Sequence, residues 1–256
     1  MVYLKTDQEI NLIRESSLLV SRTHAELAKV IKPGINTLQL DKIAEEFIRD
    51  NGGVPGFKGY NGFPNTLCIS KDNEVVHGIP LDMEVEEGAI LSIDCGVLMN
   101  GFYGDSAYTF PVGDISEDKK RLLDVTKKAL DLAVSVAVCG NTLGDIGFAI
   151  QDFTESNGYS IVKELVGHGI GKDLHEAPEV PNYGQKGKGL TLEEGMVLAI
   201  EPMVNIGTDG VFQKEDGWTI ETKDGLPSAH FEYTIAITKN KTEILSSFKF
   251  IEDILN

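Results

Sequence analysis

One acidic signature occurs twice in this chain. Glu86-Glu87-Gly88-Ala89-Ile90-Leu91-Ser92-Ile93-Asp94 returns as Glu193-Glu194-Gly195-Met196-Val197-Leu198-Ala199-Ile200-Glu201, 107 positions later. Each copy closes an apolar run on a single carboxylate. A second pair of words, Gly34-Ile35-Asn36-Thr37-Leu38 and Gly140-Asn141-Thr142-Leu143, repeats at nearly the same spacing. Two matches at one offset favour duplication over coincidence. A period this long excludes a solenoid and implies two pseudo-symmetric lobes. Each lobe can then point an acid into a shared cleft, which is a geometry for binding metal cations.

The patterning along the chain fits that plan. Ile10, Ile13, Val20, Leu27 and Val30 recur at helical spacing between Thr6 and Ile31, and Pro33-Gly34 ends the helix. Thr37 caps a second helix whose face carries Leu40, Ile43, Ala44 and Phe47, and which stops near Asn51-Gly52-Gly53. Phe57 to Pro64 has no period and reads as a shaped loop. Leu67 to Ser70 is a short strand, and Val75 to Pro80 a strand end or turn. Ile90–Cys95 and Tyr103–Phe110 are strands joined through Asn100-Gly101, a hairpin signal. The second lobe repeats the order: a helix over Asp118–Val138, one capped by Thr142 and running to Glu155, then strands at Val197–Glu201, near Trp218–Thr222 and at Phe231–Thr238. The tail from Glu243 to Leu255 reads as a strand and a short helix. The expected organisation is one catalytic domain over residues 1–256, with halves near 6–112 and 118–240 and a tail over 241–256.

Charge and cysteine usage narrow the partners. Forty acidic residues against 23 basic ones give a net charge of −17, which repels a phosphate backbone and argues against nucleic acid. Cys68, Cys95 and Cys139 form no CxxC and are odd in number, so no disulfide framework is expected. The N-terminal residues carry no basic-then-apolar signal, and no apolar stretch approaches bilayer length. A reduced, cytoplasmic protein without a membrane partner is the expectation.

Four carboxylates sit inside apolar strand patterns: Asp94, Asp105, Glu201 and Glu232. A buried, unpaired carboxylate costs several kcal/mol or more. Alone, each reads as a strand-end or turn residue. Four together, with basic residues nearly absent nearby, ask for a pair of divalent cations. Asp94 and Asp105 flank the hairpin turn, where cross-strand neighbours meet. His168 lies between Gly167 and Gly169, which permits close backbone approach around a ligating ring. His77 and His175 taken singly read as hydrogen-bonding core or loop residues. His230, two residues before Glu232 on one strand face, is a further member of the shell. His24 fits a helix surface. Carboxylate oxygens with one imidazole suit Mn²⁺, Fe²⁺, Co²⁺ or Zn²⁺, and Mg²⁺ less. The GxGxG word at Gly167 lacks the strand–turn–helix context of a dinucleotide site.

Several words in fixed order resemble the type I methionine aminopeptidases: Gly59-Tyr60-Asn61-Gly62-Phe63-Pro64, Asn73-Glu74-Val75-Val76-His77-Gly78-Ile79-Pro80, Ile93-Asp94, Gly104-Asp105, Gly167-His168-Gly169-Ile170-Gly171, His175-Glu176, Ile200-Glu201-Pro202 and Phe231-Glu232. The resemblance spans about Gly34 to Thr238. It implies an α+β fold, the two-lobed pitta-bread architecture shared with aminopeptidase P, prolidase and creatinase. In that fold two αβ halves form a curved antiparallel sheet with helices on its outer face. It further implies hydrolytic removal of N-terminal methionine from peptides and nascent proteins, with preference for a small second residue.

By the same resemblance the metal ligands are Asp94, Asp105, His168, Glu201 and Glu232, with Asp105 and Glu232 bridging two divalent ions. Glu201 is the proton carrier, and His77 and His175 contact the scissile peptide. The methionine pocket maps to Tyr60, Phe63, Cys68 and Trp218, with Leu174 near it. A flexible thioether suits an apolar, sulfur-and-aromatic pocket. Phe63, Phe57 and His230 stand where tyrosine, cysteine and glutamine are familiar, and none of these departures removes a ligand. A monomer working in transient proximity to the ribosome is expected. The rival readings are an X-Pro aminopeptidase or prolidase, and a non-enzymatic protein that kept the fold.

Overall fold

The computed structural model describes residues 1–255, so the last position of the expected tail lies outside it. The first half is organised by a long hairpin. Ile90–Met99 pairs with Phe102–Pro111 without a register break, from Ile90 opposite Pro111 to Met99 opposite Phe102. Asn100 and Gly101 carry φ of 54° and 79°. Two left-handed residues are what a two-residue turn needs to match strand twist. Leu67–Lys71 lies along the other edge of Ile90–Met99, and Val54–Pro55 extends that edge.

The second half contributes a five-stranded antiparallel sheet. Its order is Thr242–Ile244, Tyr233–Ile237, Val197–Ile200, Val166–Gly169 and Glu176–Pro181. Two further three-stranded sheets are formed, one of which joins Glu74–Val76 of the first half to Ile220–Thr222 of the second.

The two halves are sewn together at the strands that carry the acids. Glu232 N–H donates to Ala107 O at 2.9 Å, and Ser106 Oγ donates to Glu232 O at 2.7 Å. Thr234 Oγ1 donates to Asp105 O and Thr109 Oγ1 to His230 O, each at 2.7 Å. Hydroxyls replace ladder bonds along this seam, so these backbone groups keep partners where the sheets diverge.

Five helices cover the outside: α1 Asp7–Ala28, α2 Thr37–Asp50, α3 Glu117–Val136, α4 Leu143–Ser156 and α5 Lys249–Leu255. A capping box starts α1, with Thr6 and Glu9 exchanging bonds. Ile10, Ile13, Leu19, Val20 and Leu27 bury its apolar side. Apolar residues of α2, α3 and α4 join the sheets in one large core. The tail is a strand followed by α5, as expected.

Four expectations need correction. The first helix ends at Ala28, ahead of Pro33-Gly34, because Val30 and Ile31 N–H already turn back to Leu27 O. Asn36, not Thr37, caps α2: its side-chain oxygen accepts from Leu38 N–H at 2.9 Å, while the Thr37 hydroxyl donates to Leu81 O. The strand expected over Phe231–Thr238 begins only at Tyr233 and ends at Ile237, and a separate short strand, Ser228–His230, precedes it. The chain leaves Met203, opposite His230, and rejoins Ile200, opposite Tyr233, so Phe231-Glu232 crosses from one sheet to another. His24 is fully buried instead of lying on a helix surface, and its Nε2 lies 2.9 Å from Ser106 O.

Candidate metal centre

The hairpin register places two acids on one face. Asp94 stands opposite Ala107 and Asp105 opposite Gly96, so the carboxylates meet diagonally across the strands rather than head-on. Cys68 flanks Asp94 on the other side. Glu232 enters at the crossing between sheets. His168 comes from Val166–Gly169, where the neighbouring strands press close. A Cβ on Gly167 would lie 2.3 Å from Ala199 O, and one on Gly169 2.4 Å from Ala177 O. Glycines on both sides of His168 are therefore steric necessities.

Single ligand atoms of Asp105, His168 and Glu232 all lie within 4.8 Å of one another. Glu201 Oε1 is 3.6 Å from His168 Nε2, and its Oε2 is 3.6 Å from His230 Nε2. His168 Nδ1 is 2.9 Å from Gly169 O. A carbonyl only accepts, so Nδ1 carries the proton and the Nε2 lone pair faces the acids. Burial, helped by nearby His175, holds His168 down at about 3. It is neutral at physiological pH, as a ligand must be.

The acids test whether divalent cations fit. Asp105 and Glu232 are 3% and 2% exposed. Among the described residues no lysine or arginine pairs with any of the four; their ion-pair neighbours are His168 and His230. Asp94 Oδ1, Asp105 Oδ1, Glu232 Oε1 and His230 Nε2 are buried without a hydrogen-bond partner among the described residues. Burial pushes Asp94 up to about 7 and Glu201 up to about 8. Burial, then the charges of neighbouring acids, pushes Asp105 and Glu232 far above the carboxylate range. Bound cations reverse both problems at once, because they supply charge and accept the orphaned lone pairs. The residues present fit a dinuclear divalent site.

Above these acids lies a cavity of about 220 Å³, lined by all five expected ligands. Tyr60, Phe63, Cys68, Leu174 and Trp218 line it too, with His77 and His175. Phe63 and Trp218 meet edge to face, their ring centroids 5.1 Å apart. His175 Nδ1 is 2.8 Å from Tyr60 Oη, and its ring centroid is 4.3 Å from that of His168. His77 has φ of 59°, a left-handed backbone that a non-glycine residue seldom adopts. The following Gly78 is clamped to the adjacent strand: Ile69 N–H donates to Gly78 O, and Gly78 N–H donates to Ser70 Oγ. That clamp fixes the His77 backbone beside the cavity. Both histidines are solvent-exposed.

His230 is 2% exposed and stands at the end of its strand, with Nε2 3.6 Å from Glu201 Oε2. Phe57 and Asn61 also line the cavity. Phe57 carried a sequence signal, standing where cysteine is familiar, and its ring fills the space beside Gly96. Asn61 gave none beyond its place in the loop.

Residues 11–239 match the model of metallopeptidase family M24. The chain is 50% identical over 246 residues to methionine aminopeptidase 1 of Bacillus subtilis, covering 96% of this chain and 99% of that one. The crystal structure of methionine aminopeptidase from Rickettsia prowazekii superposes with a TM-score of 0.95 at 39% identity, covering 96% of this chain and all 100% of its own. Prolidase from Pyrococcus furiosus is similar in fold, at a TM-score of 0.77 and 24% identity over 95% of this chain and 65% of that one.

Proposed function

The chain belongs to metallopeptidase family M24, among its type I methionine aminopeptidases, and from that premise we propose how its own residues perform the reaction. It is a metal-dependent hydrolase that excises N-terminal methionine. In this reading Asp94, Asp105, His168, Glu201 and Glu232 would hold two divalent cations. When bound, the pair supplies Lewis acidity toward a carbonyl and lowers the pKa of water.

The protein's own groups do the rest. Tyr60, Phe63, Cys68, Leu174 and Trp218 receive the methionine side chain and keep water from it. His77 and His175 donate hydrogen bonds to the scissile peptide and steady the charge that develops on its oxygen. The preferred substrates carry a small second residue. Glu201 takes the proton from the attacking water on a carboxylate oxygen and delivers it to the leaving nitrogen. His230 packs against Glu201, with Nε2 3.6 Å from Oε2, and limits where that carboxylate can turn. Substrates are peptides and nascent proteins.

The single observation that carries this reading is the set of buried, unpaired carboxylates beneath an apolar, sulfur-bearing cavity. The methionine aminopeptidases match at up to 50% identity over nearly the whole chain, while prolidase is similar in fold at 24% identity; that difference favours the methionine reading over the X-Pro one. A side-by-side assay on Met-Ala-Ser and Ala-Pro-Ala tests the substrate. Cleavage of the first alone is expected, and preference for the second refutes the reading. Glu201→Gln in metal-saturated, folded protein should lose about 10²–10⁴ in kcat; full turnover there removes Glu201 from its role.

The finer setting belongs to the same proposal. One catalytic unit over 1–256, with halves near 6–112 and 118–240, works as a cytoplasmic monomer that meets nascent chains in transient proximity to the ribosome. Its net charge of −17 supports a mode without direct contact to nucleic acid. Among the described residues no helix is long and apolar enough to cross a membrane.

A further inference from the structure

Next to His175 lies a part-buried ion pair that the proposed chemistry does not use. The Lys5 side chain is 1% exposed and its Nζ meets Glu176 Oε2 at 2.6 Å. Taking two charges out of water costs several kcal/mol per ion, so such a pair is weak evidence of stabilisation and better evidence of a geometric task. Lys5 sits in the segment ahead of α1, and its backbone is fixed as well, since its N–H donates to Gly195 O at 2.7 Å.

Glu176 directly follows His175. Its second oxygen, Oε1, accepts from Asp173 N–H at 3.3 Å. Gly171 N–H donates to Asp173 O, and Tyr103 N–H donates to Gly171 O at 2.8 Å. A Cβ on Gly171 would lie 2.6 Å from Glu176 Oε1 and 2.7 Å from Lys5 Cε, so the turn over residues 171–176 is folded tightly on the ion pair. From that turn His175 reaches the Tyr60 hydroxyl and the His168 ring. The turn is gripped from behind and presents one imidazole in front.

We propose that the Lys5–Glu176 pair is a positioning device for His175, through which the segment ahead of α1 sets the peptide-contacting side of the cavity. This rests on the reading that His175 touches the scissile peptide. Removing the ammonium leaves Glu176 Oε2 unpaired, with Oε1 held only by Asp173 N–H at 3.3 Å; the carboxylate turns toward water and carries the adjoining His175 with it.

The test uses Lys5→Met, Lys5→Arg and His175→Ala, singly and as Lys5→Met/His175→Ala, in the Mn²⁺-loaded enzyme. Steady-state kcat and KM are measured on Met-Ala-Ser, and the His175 ring is followed by NMR of ¹⁵N-histidine protein loaded with diamagnetic Zn²⁺ in place of Mn²⁺. Lys5→Met should lower kcat about tenfold, the scale of a small misplacement, with a shifted or broadened His175 signal. Lys5→Arg should recover most of the rate, and Lys5→Met should cost nothing further once His175 is alanine. A folded Lys5→Met enzyme with wild-type kcat and an unmoved His175 signal overturns the proposal. So does a rate loss that multiplies in full on the His175→Ala background. Should Lys5→Met not fold, Lys5→Met/Glu176→Gln removes both charges and is read by the same criteria. Full turnover by His175→Ala would instead sink the peptide-contact role, and the NMR signal then decides the positioning alone.

Discussion

His24 shows what one buried side chain asks of the fold. Burial holds its pKa down at about 4, against about 6.5 for a free histidine. The folded value lies below the unfolded one, so the stabilisation is present above about pH 6.5 and is lost as pH falls through 4. A gap of that size corresponds to about 3 kcal/mol. His24→Asn should therefore flatten the loss of unfolding free energy between pH 6.5 and 4, measured by urea titration; an identical slope in the variant contradicts this. The sequence hid this residue for a physical reason. Its helix also buries Ser17, Ser21 and Thr23, whose hydroxyls return to carbonyls one turn back, so a buried face looked polar. The acids gave the opposite signal, because a carboxylate inside an apolar run is costly enough to stand out. At the same scale, His230→Phe removes the nitrogen facing Glu201. It should lower kcat more than KM and alter the visible absorption of Co²⁺-loaded enzyme. An unchanged spectrum and unchanged kcat would exclude His230 from the shell.

At the scale of elements, the long hairpin sets the relative position of Asp94 and Asp105. Its register depends on the two left-handed residues at the turn. Gly101→Val puts a β-branched side chain at φ of 79° and should cost about 1–3 kcal/mol of stability. It should also weaken metal binding, because a slipped register parts the two acids. Denaturant midpoints and metal titration check both, and a variant that loses neither refutes the coupling. This hairpin was legible because Asn-Gly between apolar runs states its turn chemistry outright. The crossing at Phe231-Glu232 was not legible. The mixed pattern over Phe231–Thr238 says nothing about which sheet each residue joins, and the hydroxyls of Ser106 and Thr109 that bridge the gap come from distant positions. Helix starts were nearly right; whether Asn36 or Thr37 caps depends on Leu81, a partner more than forty residues away.

For the whole molecule, the cluster of acids links stability, pH and metal. Asp94 at about 7 and Glu201 at about 8 lie above the unfolded values near 3.9 and 4.3. A raised folded pKa contributes stability below the unfolded value and loses it as pH rises through the folded one. Metal-free protein should therefore melt lower at pH 9 than at pH 6, and Mn²⁺ should restore it most at the higher pH. Binding should release protons, read by calorimetry in buffers of different ionisation enthalpy; a flat apo melting curve with no proton release contradicts the linkage. The most direct test of the central claim is anomalous diffraction from crystals loaded with Mn²⁺. Two peaks about 3.5–4 Å apart, contacted by Asp94, Asp105, His168, Glu201 and Glu232, are the predicted result. No peak at those side chains, with the carboxylates hydrogen-bonded to one another instead, would contradict it.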